Sequence, residues 1–128
     1  MSKKQKQDEL GDTGELAATY ANNTLLESSV WDLKIFFGQW YNKPGVDWHT
    51  AVVLPWAQVK LLSHYLKVNL AVYEAQNGAV RVPPAMAQSL PEPPEGTTHE
   101  ERHIVELVQK MHREFFGLSQ EGDNAEQK

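Results

Sequence analysis

Apolar and polar positions alternate with a period of two from Trp31 onward, then change to a helical period at Pro55. Trp31, Leu33, Ile35 and Phe37 alternate with Asp32 and Lys34, which predicts a strand over Trp31–Tyr41 with one buried face. Phe36 interrupts the polar side, so that face is not fully solvated. Gly38 predicts a bulge or a close approach of backbone. Asn42-Lys43-Pro44-Gly45 has turn chemistry, with Pro then Gly as a type II turn prefers. Asp47–Leu54 reads as the next strand, with Trp48, Thr50, Val52 and Leu54 on one face, and the two strands should pair as an antiparallel hairpin. Upstream, Leu16–Leu26 has strand composition in Thr19, Tyr20, Thr24, Leu25 and Leu26. Asn22-Asn23 marks a bulge or an irregular segment inside it, and Glu27-Ser28-Ser29 reads as a turn.

A long helix is expected from Pro55 to about Asn77. Pro55 suits a first helical position, where its missing N–H costs nothing. Gly78 after Asn77 suits a left-handed stop. Lys60, His64, Lys67, Ala71 and Glu74 share one narrow stripe, and apolar residues fill an arc of roughly 200° at the helical period. An ordinary surface helix needs an apolar face of only a little over ~100°. This helix therefore calls for cover on two sides, one of them a sheet and the other a second helix or a second chain. Leu62, Leu66, Asn69 and Tyr73 mark the side expected to lie in an interface. Asn69, near the middle of the arc, is either an amide bonded to nearby backbone or a polar residue that sets the register of a helix pair.

Residues 81–96 hold five of the seven prolines and cannot form a regular helix. Thr97-Thr98-His99-Glu100-Glu101 offers a capping box in either of two registers. A second helix should follow to about Phe116, with Ile104, Val105, Leu107, Val108, Met111, Phe115 and Phe116 on its apolar side. The expected architecture is α+β: a small antiparallel sheet of two to three strands packed on one long helix, plus a C-terminal helix. Its divisions are a polar, disordered tail (1–15), a β-β-β-α domain (16–82), a Pro-rich linker (83–97), the C-terminal helix (98–118) and a disordered tail (119–128).

Charge and composition narrow the functional classes. The 128 residues carry 12 Lys+Arg against 17 Asp+Glu, a formal net charge of -5, which argues against a dedicated nucleic-acid binder. Between Glu15 and Arg81, five acidic residues balance five basic ones. Cysteine is absent, so neither disulfides nor thiolate chemistry is available. No apolar run approaches the ~20 residues of a membrane span, and Met1–Glu9 lacks the apolar stretch of a signal peptide. The expectation is a cytoplasmic protein.

His99-Glu100-Glu101-Arg102-His103 matches the H-E-x-x-H pattern, in which two His at i and i+4 bind zinc and the Glu activates water. A zinc-dependent hydrolase is therefore one alternative. Against it, the intervening residues are Glu101 and Arg102, and both His fall on the polar side of the second helix. They read better as an exposed, metal-free first turn whose carboxylates suit a helix N-terminus. His112, at the edge of the apolar arc, should be packed. Trp31, Trp40, Trp48 and Trp56 recur at nearly even intervals, which fits core and sheet packing, or an aromatic platform for single-stranded nucleic acid. Neither a Gly-rich phosphate loop nor a G-x-S-x-G elbow occurs.

Tyr20-Ala21-Asn22, the strand Asp32–Phe37 with Gly38, and Val53-Leu54-Pro55 lead into a helix bearing Lys60, Leu61, Leu62, Leu66, Asn69, Leu70, Tyr73, Glu74 and Gly78. This run resembles the small prokaryotic family catalogued as domain of unknown function 3467, over about residues 19–82. Two features depart from the family pattern: Trp56 follows the Pro where a polar residue is common, and Phe36-Phe37-Gly38 replaces an acidic residue before the strand's last aromatic. The resemblance implies no established activity. Through members encoded beside RNA polymerase subunit genes, it implies a bacterial, transcription-associated accessory protein. The expected function is a non-enzymatic interaction module without catalytic, cofactor-binding or metal-binding residues. It would dimerise and engage an unknown protein partner, without a membrane; a single-stranded nucleic-acid binder is a second alternative, disfavoured by the charge balance.

Overall fold

The structure, a computed structural model, describes residues 11–42, 44–86, 96 and 98–126, with side chains of the last helix as far as Gly117. Most of the expected N-terminal tail and of the Pro-rich linker lies outside these residues. The elements in order are β1 (Asn23–Ser28), β2 (Asp32–Gln39), β3 (Asp47–Pro55), α1 (Trp56–Asn77), a short 3-10 turn (Pro84–Met86) and α2 (His99–Glu126). The class is α+β, with a three-stranded antiparallel sheet in the order β1-β2-β3. Two compact units, Met1–Tyr65 and Leu66–Lys128, divide the chain within α1.

β1 is shorter and later than the expected Leu16–Leu26 strand. The β1–β2 turn consists of Val30 and Trp31 rather than Glu27-Ser28-Ser29, and Glu27 and Ser28 belong to β1. The Ser29 side chain decides this. Its hydroxyl accepts the N–H groups of Trp31 (3.2 Å) and Asp32 (3.1 Å) and lies 3.0 Å from the Asp32 carboxylate. The Ser29 N–H donates to the Asp32 carbonyl at 2.9 Å and closes the loop. Neither Val30 nor Trp31 has positive φ, so this is not a primed hairpin turn, and a serine supplies the bonds that hold it.

The other end of the sheet is shaped by a bulge. Phe37 pairs with Thr50 but Gly38 pairs with Trp48, which leaves His49 as the extra residue on β3. Both readings of Gly38 hold, since it lies at the bulge and is also buried. A Cβ there would stand 2.7 Å from the Trp48 ring and 2.8 Å from the Asp47 carbonyl oxygen. The bulge also corrects the expected face of Trp48. Simple alternation puts Trp48 with Thr50, Val52 and Leu54. The extra residue moves it across the sheet, where its ring meets Phe36 edge-on at 6.4 Å. His49 is held in place: its Nε2 is 3.0 Å from the Tyr20 carbonyl and its Nδ1 2.7 Å from the Thr50 hydroxyl. A carbonyl only accepts, so Nε2 donates to Tyr20.

Asn22, just before β1, does the work of a further strand residue. Its Oδ1 accepts the Trp40 N–H at 2.8 Å and its Nδ2 donates to the Trp40 carbonyl at 3.3 Å. The β2–β3 loop contains Asn42 at φ 59° and Gly45 at φ 85°, the latter as the third position of a type II turn requires. Among the described residues, Leu33 and Ile35 on the central strand are the buried apolar ones, 7% and 9% exposed.

β3 runs into α1 with no loop. Pro55 still pairs with Asp32 and precedes the first helical residue instead of occupying it. The Trp56 indole N–H donates to the Ser29 carbonyl at 2.9 Å and ties the helix start to the β1–β2 turn. The helix stops at Gly78 as expected. That residue is left-handed (φ 88°), and its N–H donates to the Glu74 carbonyl at 2.9 Å. The Glu74 carboxylate accepts the Val80 N–H at 2.8 Å, and the Asn77 side chain donates to the Tyr73 carbonyl.

At the start of α2 the capping box takes one of its two registers. Glu101 N–H donates to the Thr98 hydroxyl at 3.2 Å, and Thr98 N–H donates to the Glu101 carboxylate at 2.9 Å. Thr98→Ala is expected to lower the stability of α2 by about 1 kcal/mol. Faster amide exchange across residues 99–103 would show it, and an unchanged rate would refute it. α2 continues through Gly117 to Glu126, where the sequence ended it near Phe116. A single helical Gly costs only about 1 kcal/mol relative to Ala, too little to stop a helix already under way.

Candidate functional site

α1 carries the residues singled out for an interface. Leu62, Leu66, Asn69 and Tyr73 are spaced by four, three and four residues and so form one stripe along the helix. Leu62 is half-buried and the other three are exposed, Leu66 at 60% and Tyr73 at 54%. No residue of α1 is buried. Among its residues only Val59, Leu62 and Glu74 are half-buried. Neither terminus of the helix carries compensating charge, with no acidic residue in the first turn and no basic one in the last.

α2 presents a second apolar stripe. Ile104, Leu107, Val108, Met111 and Phe115 are all exposed. His112 is half-buried with its ring 6.0 Å from that of Phe116, and Phe115 meets Phe116 edge-on at 5.0 Å. His112 is thus packed, as its place at the edge of the arc suggests.

His99 and His103 lie on the first turns of α2 and are exposed, with Glu100 and Ile104 beside them around an open concavity. Among the described residues no three His, Cys, Asp or Glu come together as metal ligands. The H-E-x-x-H pattern here coincides with a capped helix N-terminus, where Glu101 bonds Thr98.

The four tryptophans do not make one surface, and none is a core residue. Trp31 and Trp56 lie at the end of the sheet where Asp32 pairs with Pro55, while Trp40 and Trp48 lie at the bulged end. Trp31 and its neighbour Val30 are 82% and 86% exposed at the tip of the Ser29-locked turn. The sequence singled out Trp31 as a strand residue on a buried face, whereas the two-residue turn lifts it off the sheet. Sequence reasoning missed Asn22 and His49, each of which is paired across more than fifteen positions of chain. No local pattern signals such bonds.

These features define a small α+β domain, a three-stranded antiparallel meander that continues into one long helix with an uncovered apolar stripe. Residues 2–82 match the sequence profile described as Protein of unknown function (DUF3467), and the chain belongs to that family. No curated protein and no solved structure matches the chain. α2 lies outside the matched region. Among the described residues no helix is long and apolar enough to cross a membrane.

Proposed function

We propose that the chain is a non-catalytic interaction module that self-associates through the Leu62, Leu66, Asn69 and Tyr73 stripe of α1. The exposure of that stripe carries the reading. A helix that is apolar over most of its circumference belongs inside a larger core, yet α1 buries no residue. Its large apolar side chains, such as Leu61, Leu66, Leu70 and Tyr73, each keep roughly half their surface in water. Together these four expose on the order of 300 Å², taking ~150 Å² for a fully exposed large side chain. That is more than a third of the about 800 Å² that each partner brings to an interface of standard size.

The residues behind the family resemblance support the same reading by elimination. Asn22, Asp32, Gly38, Glu74 and Gly78 have local structural work at strand ends, a turn, a bulge and a helix stop. Leu66 and Tyr73 stand exposed along α1. A second copy meets this need with a matching stripe, and paired helices bury both. Light scattering on the purified protein at high micromolar concentration tests the reading. A dimer or higher closed oligomer is expected, and a monomer would refute it.

A further inference from the structure

We propose that α2 is a self-pairing helix: in the assembled protein the α2 helices of two copies lie antiparallel, Ile104 of each against Phe115 of the other and Val108 of each against Met111 of the other. This rests on the self-association reading above and adds a second contact to it.

Ile104, Val108, Met111 and Phe115 are spaced by four, three and four residues. That is the seam spacing of paired helices, which repeats every 3.5 residues on average. The intervals read the same in both directions, so two antiparallel copies match every seam residue with an apolar one. Each layer sets a β-branched side chain against a longer one, as interdigitation requires. Leu107 borders the seam. All five are exposed in the single chain, from 37% at Val108 to 61% at Met111. Towards the N-terminus the next seam position is Glu101, whose carboxylate holds the Thr98 N–H, and the seam ends there.

Charge selects the orientation. From His99 to Glu106 the helix carries Glu100, Glu101 and Glu106 against Arg102. From Leu107 to Gly117 it carries Lys110 and Arg113 against Glu114. An antiparallel pair lays the acidic half of one helix beside the basic half of its copy, whereas a parallel pair lays acidic on acidic. In this register His99 comes opposite residue 120, so Glu121, Asp123 and Glu126 lie past the paired length.

Buried area argues for the second copy as occupant. The five residues expose on the order of 400 Å², taking ~150 Å² for a fully exposed large side chain. The four large side chains of α1 supply on the order of 300 Å² of the about 800 Å² that a standard interface takes from each partner, and α2 supplies most of the remainder. A two-fold pair gives each copy the same stripe it offers. Residues 78–97 separate the two helices in the chain, and the α2 pair requires no particular placement of α1.

The chain has no cysteine, so introduced ones report the pairing without background. Ile104→Cys and Phe115→Cys are made singly and together, and each protein is oxidised mildly in buffer and in denaturant. A disulfide needs Cα atoms within about 4.4–6.8 Å. Within one helix the two positions are about 16 Å apart, and in the antiparallel register each lies equally far along the helix from its own counterpart. The double variant should therefore become a covalent dimer in buffer, while the single variants and the denatured samples remain largely uncross-linked. Spin labels on Lys110→Cys and on Arg102→Cys leave the seam untouched and give a second measurement. Position 110 lies at the centre of the pair, so the distance between labels should be longer at 102 than at 110, and equal distances would mean parallel helices. A native dimer whose double variant stays uncross-linked, or whose single variants cross-link as readily, overturns the α2 pair and leaves self-association through α1 standing. A monomer by light scattering overturns both.

Discussion

Leu66→Asp is expected to turn the assembled protein into a monomer or drive it out of solution, with little change in the helix itself. Leu66 lies in the α1 stripe and is 60% exposed in the single chain. An aspartate there costs an isolated helix no more than about 0.7 kcal/mol in propensity. Buried in an interface without a partner, the same carboxylate costs several kcal/mol. Each ~1.4 kcal/mol is tenfold in a dissociation constant, so a loss of about 3 kcal/mol weakens association by roughly two orders of magnitude. Ala71→Asp is the control, because Ala71 shares the opposite stripe with Lys60, His64, Lys67 and Glu74. Light scattering and circular dichroism on both variants separate the effects. If Leu66→Asp keeps the wild-type mass, the interface is not on this stripe.

Gly38→Ala should destabilise the sheet by about 1–3 kcal/mol, the usual range for overpacking. The added Cβ would meet the Trp48 ring at 2.7 Å and both the Asp47 carbonyl and the Val46 side chain at 2.8 Å. An indole can swing aside, but the Asp47 carbonyl belongs to the strand, so the bulge itself has to open. Gly117→Ala provides the contrast. It lies within α2 with nothing within 4 Å of its missing Cβ, and replacing a helical Gly with Ala gains roughly 0.5–1 kcal/mol. Urea unfolding gives both values, provided the slope is unchanged. A Gly38→Ala midpoint equal to wild type would mean that the bulge tolerates a side chain and that the close contact does not hold its shape.

What could be read from residues alone concerns short-range chemistry. The change from a two-residue to a helical period marks β2, β3 and α1. Gly78 stops α1 because a left-handed residue at its end needs no Cβ, and a Thr with a Glu three positions on announces the cap of α2, in either of two registers. Gly38 announces the bulge because a missing side chain in a strand permits close backbone approach. All of these are settled within one or two turns of chain.

The tertiary structure alone decided what depends on distant partners. The extra residue at His49 sends Trp48 to the opposite face, although its neighbours alternate as though it belonged with Val52. Asn22 looks like a strand breaker, yet its amide closes the ladder against Trp40, eighteen residues away. The Ser29 hydroxyl moves the first turn two residues onward and exposes Trp31. The apolar arc of α1 shows from sequence that cover is required, but not whether its own chain provides it. Periodicity records which side of an element avoids water. Only the folded chain shows that Leu66 and Tyr73 are more than half exposed.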